Sequence, residues 1–101
     1  MSSLHEAVQK ALAKFSLYSQ EKNKDPLVSI RLFNAYGNGA WYLTEYNPKT
    51  RIAFGYVTGL FEDEWGYVSI SEMAEVLFCA KVPMIEVDTS FTPTAFSKIK
   101  M

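Results

Sequence analysis

The sequence has very few of the side chains that most often perform chemistry, with one histidine, His5, and one cysteine, Cys79, among its 101 residues. A lone cysteine excludes an internal disulfide and favours a reducing compartment. A closed zinc site needs about four nitrogen, sulfur or carboxylate ligands, and this chain is poor in the softer ones. We therefore expect no metal site, an ordinary surface role for His5, and a buried structural thiol at Cys79, whose neighbours are apolar.

Several other signatures are also missing. There is no glycine-rich phosphate loop, no Ser-His-Asp set and no defensible pair of catalytic acids, so a non-enzymatic protein without a cofactor is favoured over an enzyme. No run approaches the roughly 18 apolar residues of a membrane span, and no apolar signal core is present, so we expect a cytoplasmic protein. The net charge of −1 argues against nucleic acid, whose binding needs clustered Lys and Arg.

The residues that are present predict one folded domain, because 49% of them are hydrophobic and 15% aromatic. Helical spacing predicts an N-terminal helix within residues 1–20, reaching about Tyr18, and alternation with turn signals predicts a β-meander over 26–70. A helix over 71–80 and a short strand with a terminal segment over 84–101 complete the chain. The predicted fold class is α+β, an antiparallel β-meander of three to five strands packed by an N-terminal helix and a second helix after the sheet.

Alternation also assigns side chains to the faces of the predicted strands. In the first strand it places Val28 and Ile30 on the same face. Leu43 and Phe54, which lie in the middle of adjacent strands, are predicted core residues. Gly55 lies inside a predicted strand, where a glycine indicates a bulge or a close approach by a neighbour.

Glu45 is the acidic residue with the most unusual predicted position. Strict alternation places it on the same face as Trp41 and Leu43, which predicts a partly buried carboxylate. A buried carboxylate needs a partner, and Arg31 or Arg51 on neighbouring strands could provide one. A structural ion pair and a polar anchor in a pocket are both open interpretations.

The segment from Gly59 to Gly66 is predicted to be a loop with a compact acidic run between two aromatic residues. Apolar anchors beside negative charge suit a basic protein partner, so we expect a partner-binding surface formed by Phe61, Glu62, Asp63, Glu64 and Trp65. The acidic run does not have the spacing of a calcium loop. In the alternative interpretation, Trp65 folds inward and closes the end of the sheet.

Aromatic residues on both faces of the second strand suggest that some aromatic surface remains exposed. A second hypothesis is therefore a pocket that traps a small nucleotide-like ligand between aromatic rings, with charged residues as anchors. The candidate pocket residues are Tyr42, Glu45, Tyr46, Tyr56, Arg31 and Arg51. The oligomeric state stays open, and a homo-oligomer is compatible with this hypothesis.

Short motifs that occur in a fixed order carry a resemblance to a known family. They are Asp25-Pro26-Leu27-Val28, Leu32-Phe33, Trp41-Tyr42-Leu43-Thr44-Glu45, Ile52-Ala53-Phe54-Gly55-Tyr56, Gly66-Tyr67-Val68-Ser69 and Glu86-Val87-Asp88. Between about Asp25 and Phe91 the chain resembles small uncharacterised domains encoded on plasmids, phages and integrative elements. Trp65 departs from the family pattern, which has a smaller aliphatic residue there, and Val87 stands where arginine is common.

The resemblance implies a mobile-element setting in a bacterial host, and relatives near antirestriction genes imply a counter-defence role by association. The leading interpretation is thus a small non-enzymatic binding protein that inhibits a host protein, such as a defence complex, by protein–protein interaction. The alternative is a sponge that binds a small nucleotide-like ligand in an aromatic pocket. An enzyme with acidic residues at its centre is the least favoured interpretation.

Overall fold

The computed structural model describes residues 4–78 and 82–99, so the prediction for Cys79 lies outside the described residues. The described chain runs from a helix through a sheet to a second helix and a series of short strands. Its elements are α1 (Leu4–Ala11), β1 (Leu27–Val28), β2 (Ile30–Asn34), β3 (Ala40–Asn47), β4 (Ile52–Thr58), β5 (Glu64–Ser69), α2 (Ile70–Glu75), β6 (Leu77–Phe78), β7 (Val82–Pro83), β8 (Ile85–Val87), β9 (Thr94–Ala95) and a 3₁₀ helix (Phe96–Lys98).

The central element is a five-stranded antiparallel sheet with the order β5-β4-β3-β2-β8. Strands β2 to β5 form the predicted meander, and β8 returns to pair with the outer edge of β2. Two separate two-stranded pairings, β1 with β9 and β6 with β7, lie outside this sheet. The order of helix, sheet and second helix confirms the predicted α+β class.

One face of the sheet, called the helix face below, is covered by α1 and α2. The buried side chains of this face form the main hydrophobic cluster, with Val8, Leu12, Ile30, Leu32, Trp41, Leu43, Tyr46, Ala53, Ile70, Met73 and Ile85. Leu43 is fully buried, which confirms its predicted place in the core. Helix α1 ends at Ala11 rather than near Tyr18, and Tyr18 has a φ of 70°, a left-handed conformation that a continuing helix cannot contain.

Helix α2 begins with a side-chain cap at Ser69. The Ser69 hydroxyl accepts a hydrogen bond from the Glu72 backbone N–H at 3.2 Å. This satisfies one of the backbone donors that the first turn of a helix leaves open. The helix ends at Glu75 and is followed by β6, so it is shorter than the predicted span of 71–80.

The first predicted strand is interrupted at Ser29, which separates β1 from β2. Ile30 packs in the main cluster on the helix face, whereas Val28 belongs to a second cluster on the opposite face. The prediction that Val28 and Ile30 share a face is therefore wrong. The reason is that β1 leaves the five-stranded sheet and pairs with β9, so alternation does not continue through Ser29.

Strand β3 contains a second interruption, a bulge between Leu43 and Glu45. Leu43 pairs with Gly55, but Glu45 already pairs with Phe54, so one extra residue is present on β3. This extra residue turns Glu45 away from the helix face, which makes its predicted grouping with Leu43 wrong. A Cβ added to Gly55 would lie 2.2 Å from the Tyr42 carbonyl oxygen, so Gly55 permits the close approach that the sequence predicts.

The other face of the sheet, called the open face below, is partly covered by the C-terminal segment. Phe91, Phe96 and Ile99 pack against a small cluster formed by Val28, Ala40 and Tyr42. This segment is held by the pairing of β1 with β9 and by Asp25, whose carboxylate accepts hydrogen bonds from the Ser97 backbone N–H at 2.8 Å and hydroxyl at 2.7 Å. The hydroxyl and amide of Ser97 lower the pKa of Asp25, because both stabilise its charged form.

Candidate functional site

The Glu45 carboxylate is the anchor around which the candidate site is built. Its Oε1 accepts a hydrogen bond from the Tyr18 backbone N–H at 2.7 Å, and its Oε2 accepts one from the Gln20 backbone N–H at 3.0 Å. Only 3% of the residue is exposed. Burial was predicted, but the expected ion pair with Arg31 or Arg51 is wrong, because backbone amides satisfy this carboxylate instead.

Gln20 fastens the same segment to the sheet. Its side-chain Nε2 donates to the carbonyl oxygens of Leu27 at 3.0 Å and Thr44 at 2.8 Å, and its Oε1 accepts from the Leu27 backbone N–H at 2.7 Å. With Glu45, these bonds hold residues 18–26 beside the open face as an ordered wall. Every buried side-chain polar atom in the described residues has a partner, so the wall is fully satisfied where it meets the sheet.

A concave pocket, called the aromatic pocket below, lies between this wall and the open face. Its volume is about 330 Å³, within the usual range of about 300–1,000 Å³ for small-ligand sites. It is lined by Tyr18, Gln20, Glu21, Asn23, Lys24, Pro26, Thr44, Glu45, Phe54, Trp65 and Tyr67. The bulge in β3 is essential to this arrangement, because it points Glu45 towards the same side of the sheet as Phe54.

The floor of the aromatic pocket consists of three rings from β4 and β5. The Phe54 ring centroid lies 4.9 Å from that of Tyr67 and 5.7 Å from that of Trp65, and the Phe54 and Trp65 planes differ by only 12°. Tyr67 remains 56% exposed and Trp65 37% exposed. Phe54 is half-buried in this floor and does not belong to either core cluster, so its predicted role as a core residue is wrong.

The electrostatics of the pocket are dominated by acidic groups. Glu45 lies at its base and Glu21 at its exposed rim, whereas Lys24 is the one cationic side chain among its described lining residues. A hydrogen bond with Tyr18 raises the pKa of the Tyr67 hydroxyl, and desolvation and the negative charges of Glu45 and Glu21 act in the same direction. The described charged side chains that line the pocket are thus two glutamates and one lysine.

Arg31 and Tyr42 lie on the open face but form a separate group beside the pocket. Arg31 donates from Nε to the Tyr42 hydroxyl at 3.1 Å and from its guanidinium to Asp88 at 3.2 Å. Hydrogen bonds from Ser90, together with the Arg31 charge, lower the pKa of Asp88. Because Arg31 lies on β2, its bond to Asp88 ties the start of the C-terminal segment to the sheet, and Ser90 orients the same carboxylate by donating to it from its amide and its hydroxyl.

The remaining predicted pocket residues do not line the aromatic pocket. Tyr46 lies on the helix face, is 2% exposed, and has its hydroxyl 2.6 Å from Nδ1 of His5, so His5 is a half-buried packing partner rather than a surface residue. Burial raises the pKa of Tyr46.

Arg51 is exposed in the β3–β4 turn, with a φ of 58°. Tyr56 packs edge-on against Trp65 and Phe96. Of the predicted set, only Glu45 lines the pocket.

The predicted partner-binding residues occupy the β4–β5 hairpin. Phe61 has a relative exposure of 103%, and Leu60 beside it 53%. Glu62, Asp63 and Glu64 are exposed, and Asp63 accepts a hydrogen bond from the Gly59 backbone N–H at 3.1 Å, which shapes the turn. The predicted loop is too long, because β5 begins at Glu64. Trp65 therefore lies within a strand, where it packs against the floor of the aromatic pocket.

No group of three or more His, Cys, Asp or Glu residues in the described ranges could hold a metal ion. Sequence reasoning missed every lining residue except Glu45 and Trp65, and among those missed are Tyr18, Lys24, Phe54 and Tyr67. Alternation does place Phe54 and Tyr67 on one face of adjacent strands. This pattern is sufficient to predict both as neighbouring pocket residues. Tyr18 and Lys24 depend on the path of the connecting segment, which has no periodic pattern.

The fold and the pocket define a small α+β domain with a ligand-sized aromatic cavity beside the open face of its sheet. A family described as protein of unknown function (DUF2958) matches residues 4–98, and the chain belongs to this family. This confirms the resemblance to a family of uncharacterised domains and extends it over α1. A search of curated proteins found no match, and neither did a search of solved structures. Within the described residues, no helix is long and apolar enough to cross a membrane.

Proposed function

We propose that this protein is a small non-enzymatic binding protein that engages a protein partner through the tip of the β4–β5 hairpin. The observation that carries the proposal is the complete exposure of Phe61 at a projecting turn. A large aromatic side chain exposed to this extent gains most when it enters a pocket on another molecule. The proposed surface comprises Phe61, Glu62, Asp63, Glu64 and the exposed edge of Trp65.

The charge of the hairpin defines the partner's chemistry. Three exposed acidic residues, Glu62, Asp63 and Glu64, directly follow the aromatic anchor in sequence, so the complementary surface is an apolar pocket with Lys or Arg beside it. In this proposal the protein belongs to a phage or other mobile element and acts as a counter-defence inhibitor in the bacterial cytoplasm. Its partner is a host protein, such as a component of a defence complex. The order of the sequence motifs supports that setting by resemblance.

The proposal is tested with a partner captured from the host lysate, purified and titrated by calorimetry. We expect Phe61→Ala to weaken binding at least about tenfold, with little change in Tm because the side chain has no packing to lose. Tyr67→Ala, a matched exposed aromatic outside the hairpin tip, should bind as the parent does. A folded Phe61→Ala variant with parental affinity would overturn the proposal.

A second candidate function, binding of a small ligand in the aromatic pocket, is favoured by the cavity of about 330 Å³ with its aromatic floor. The sequence-based hypothesis for this function is a nucleotide-like ligand held between aromatic rings. A homo-oligomer is compatible with that hypothesis. The test is mass spectrometry of small molecules released from protein purified under native conditions. A stoichiometric small molecule that is lost in Tyr67→Leu would support this function, whereas its retention in that variant would place it elsewhere.

A further inference from the structure

We propose that the aromatic pocket accepts an organic cation, through a substituted ammonium or guanidinium group, and discriminates against phosphate. This inference rests on the second candidate function, which makes the cavity a ligand site, and it names the chemical class of the ligand. Trp65 belongs to both proposed sites, so the two proposals are separated through Phe61, which does not line the pocket, and Tyr67, which lines the pocket but is not part of the hairpin surface.

The first argument comes from the aromatic rings. Phe54 stacks on Trp65 with 5.7 Å between centroids and lies tilted 4.9 Å from Tyr67, and all three rings line the pocket together with Tyr18. Such rings attract cations through their negative faces. Trp65 and Tyr67 keep 37% and 56% of their surface accessible, so a ligand can reach them without unfolding the floor.

The second argument comes from Glu45. Two neighbouring backbone N–H groups, those of Tyr18 and Gln20, would form an anion-binding site if they were free, but the Glu45 carboxylate accepts from both, at 2.7 and 3.0 Å. An incoming phosphate would therefore find its donors occupied and a fixed negative charge beside them. Because Glu45 is only 3% exposed, it acts on the cavity through its negative charge, which favours a positive charge there.

The third argument is the balance of charge around the cavity. Glu21 and Glu45 oppose the single ammonium group of Lys24 among the described lining residues. A cation gains from that balance, and a phosphate is repelled by it.

The experiment is an NMR titration of the full chain, with the Trp65 indole N–H as the reporter. Choline is the cationic probe, 3,3-dimethylbutan-1-ol its neutral isostere and adenosine monophosphate the nucleotide. We expect choline to shift the Trp65 signal and to bind at least about fivefold more tightly than either of the others. A glycine-serine peptide that carries one arginine or one trimethyllysine distinguishes a protein side chain from a free small cation as the source of the group.

Charge variants on the pocket rim give a result that a general loss of structure cannot mimic. Glu21→Gln should weaken choline binding about two- to threefold at low salt, and Lys24→Gln should strengthen it by a similar factor. Tyr67→Leu should weaken it at least about fivefold. The matched controls, Glu62→Gln and Phe61→Leu on the hairpin tip, should leave the affinity unchanged.

The possible failures are distinguishable. If the neutral isostere or the nucleotide binds as tightly as choline, or if Lys24→Gln weakens choline binding, the ligand class is wrong and the pocket remains a ligand site. If none of the probes shifts Trp65, the organic-cation class is overturned, and the second candidate function then stands or falls with the mass spectrometry of released small molecules in the parent and Tyr67→Leu. The hairpin-tip proposal is tested separately through Phe61.

Discussion

At the scale of single residues, Glu45 connects the fold to the candidate site. The sequence predicts its burial by grouping it with Trp41 and Leu43 on one face, which the bulge in β3 makes the wrong face, and it does not predict its partners. The two donors are backbone N–H groups of Tyr18 and Gln20, and every non-proline residue carries the same donor. The sequence therefore indicates that a buried carboxylate needs hydrogen-bond partners. It does not indicate that backbone N–H groups are those partners, because nearly every residue has one.

Replacement of this carboxylate tests its role. In Glu45→Gln, the amide nitrogen can donate but cannot accept, so at least one backbone N–H loses its acceptor. Because hydrogen bonds to a charged group contribute about 1.5–3 kcal/mol each, we expect the free energy of unfolding to fall by about 2–4 kcal/mol in urea denaturation. Glu21→Gln, on the exposed rim of the same pocket, should change it by less than about 0.5 kcal/mol. A parental stability for Glu45→Gln would show that the carboxylate does not hold the 18–26 wall.

At the scale of elements, alternation correctly predicts that strands exist at Ala40–Asn47 and Ile52–Thr58. It fails where the register shifts. The interruption at Ser29 places Val28 on the opposite face from Ile30. The bulge after Leu43 places Glu45 on the opposite face from Leu43, and it builds the pocket by turning Glu45 towards Phe54. Bulges depend on backbone pairing between strands, which a single-strand pattern does not contain.

The glycine opposite this bulge provides the corresponding test. A Cβ at Gly55 would lie 2.2 Å from the Tyr42 carbonyl oxygen and 2.8 Å from the Leu43 Cα, whereas a Cβ at its cross-strand partner, Gly66, would meet nothing within 4 Å. We expect Gly55→Ala to destabilise the protein by about 1–3 kcal/mol or more, because backbone atoms must move. Gly66→Ala should be neutral or stabilise by up to about 1 kcal/mol. Equal thermal midpoints for the two variants would contradict the bulge geometry.

At the scale of the whole molecule, the two faces of the sheet are closed in different ways. Helices α1 and α2 cover the helix face with a continuous core, as the amphipathic patterns predict. The open face is covered in part by residues 91–99 and in part by the 18–26 wall, and the aromatic pocket lies between that wall and the sheet. The sequence indicates that some aromatic surface remains exposed. It does not predict the paths of these two irregular segments, because they depend on contacts distant in sequence, such as that of Asp25 with Ser97.

Two carboxylates fasten the C-terminal segment, and both respond to acid in the same sense. Asp25 and Asp88 each have a pKa below the ordinary value of 3.8 in the folded protein, chiefly because Ser97 and Ser90 donate hydrogen bonds to them. A depressed folded-state pKa means that the stabilisation is fully present above 3.8, and that it is lost as the pH falls through the folded-state value. Acid should therefore release this segment from the open face.

We expect the release to be local, and NMR between pH 7 and pH 2 can measure it. The Ser97 amide shift should titrate with a midpoint below 3.8, the ordinary value for an aspartate. The contact between the Phe96 and Trp65 rings, 4.7 Å between centroids, should weaken with it. The buried Leu43 methyl signals on the helix face should stay unchanged through that midpoint.

Asp25→Ala separates this carboxylate from Asp88, because the variant retains the Ser90 and Arg31 hydrogen bonds to Asp88. In this variant the Ser97 amide should resonate near its acid position already at pH 7, and the contact between Phe96 and Trp65 should be weaker. Since Trp65 also forms the floor of the aromatic pocket, a looser C-terminal segment should alter the Trp65 indole signal without any change at Leu43. A Ser97 midpoint at or above 3.8, or simultaneous changes at Leu43, would mean that the segment does not move as a separate unit.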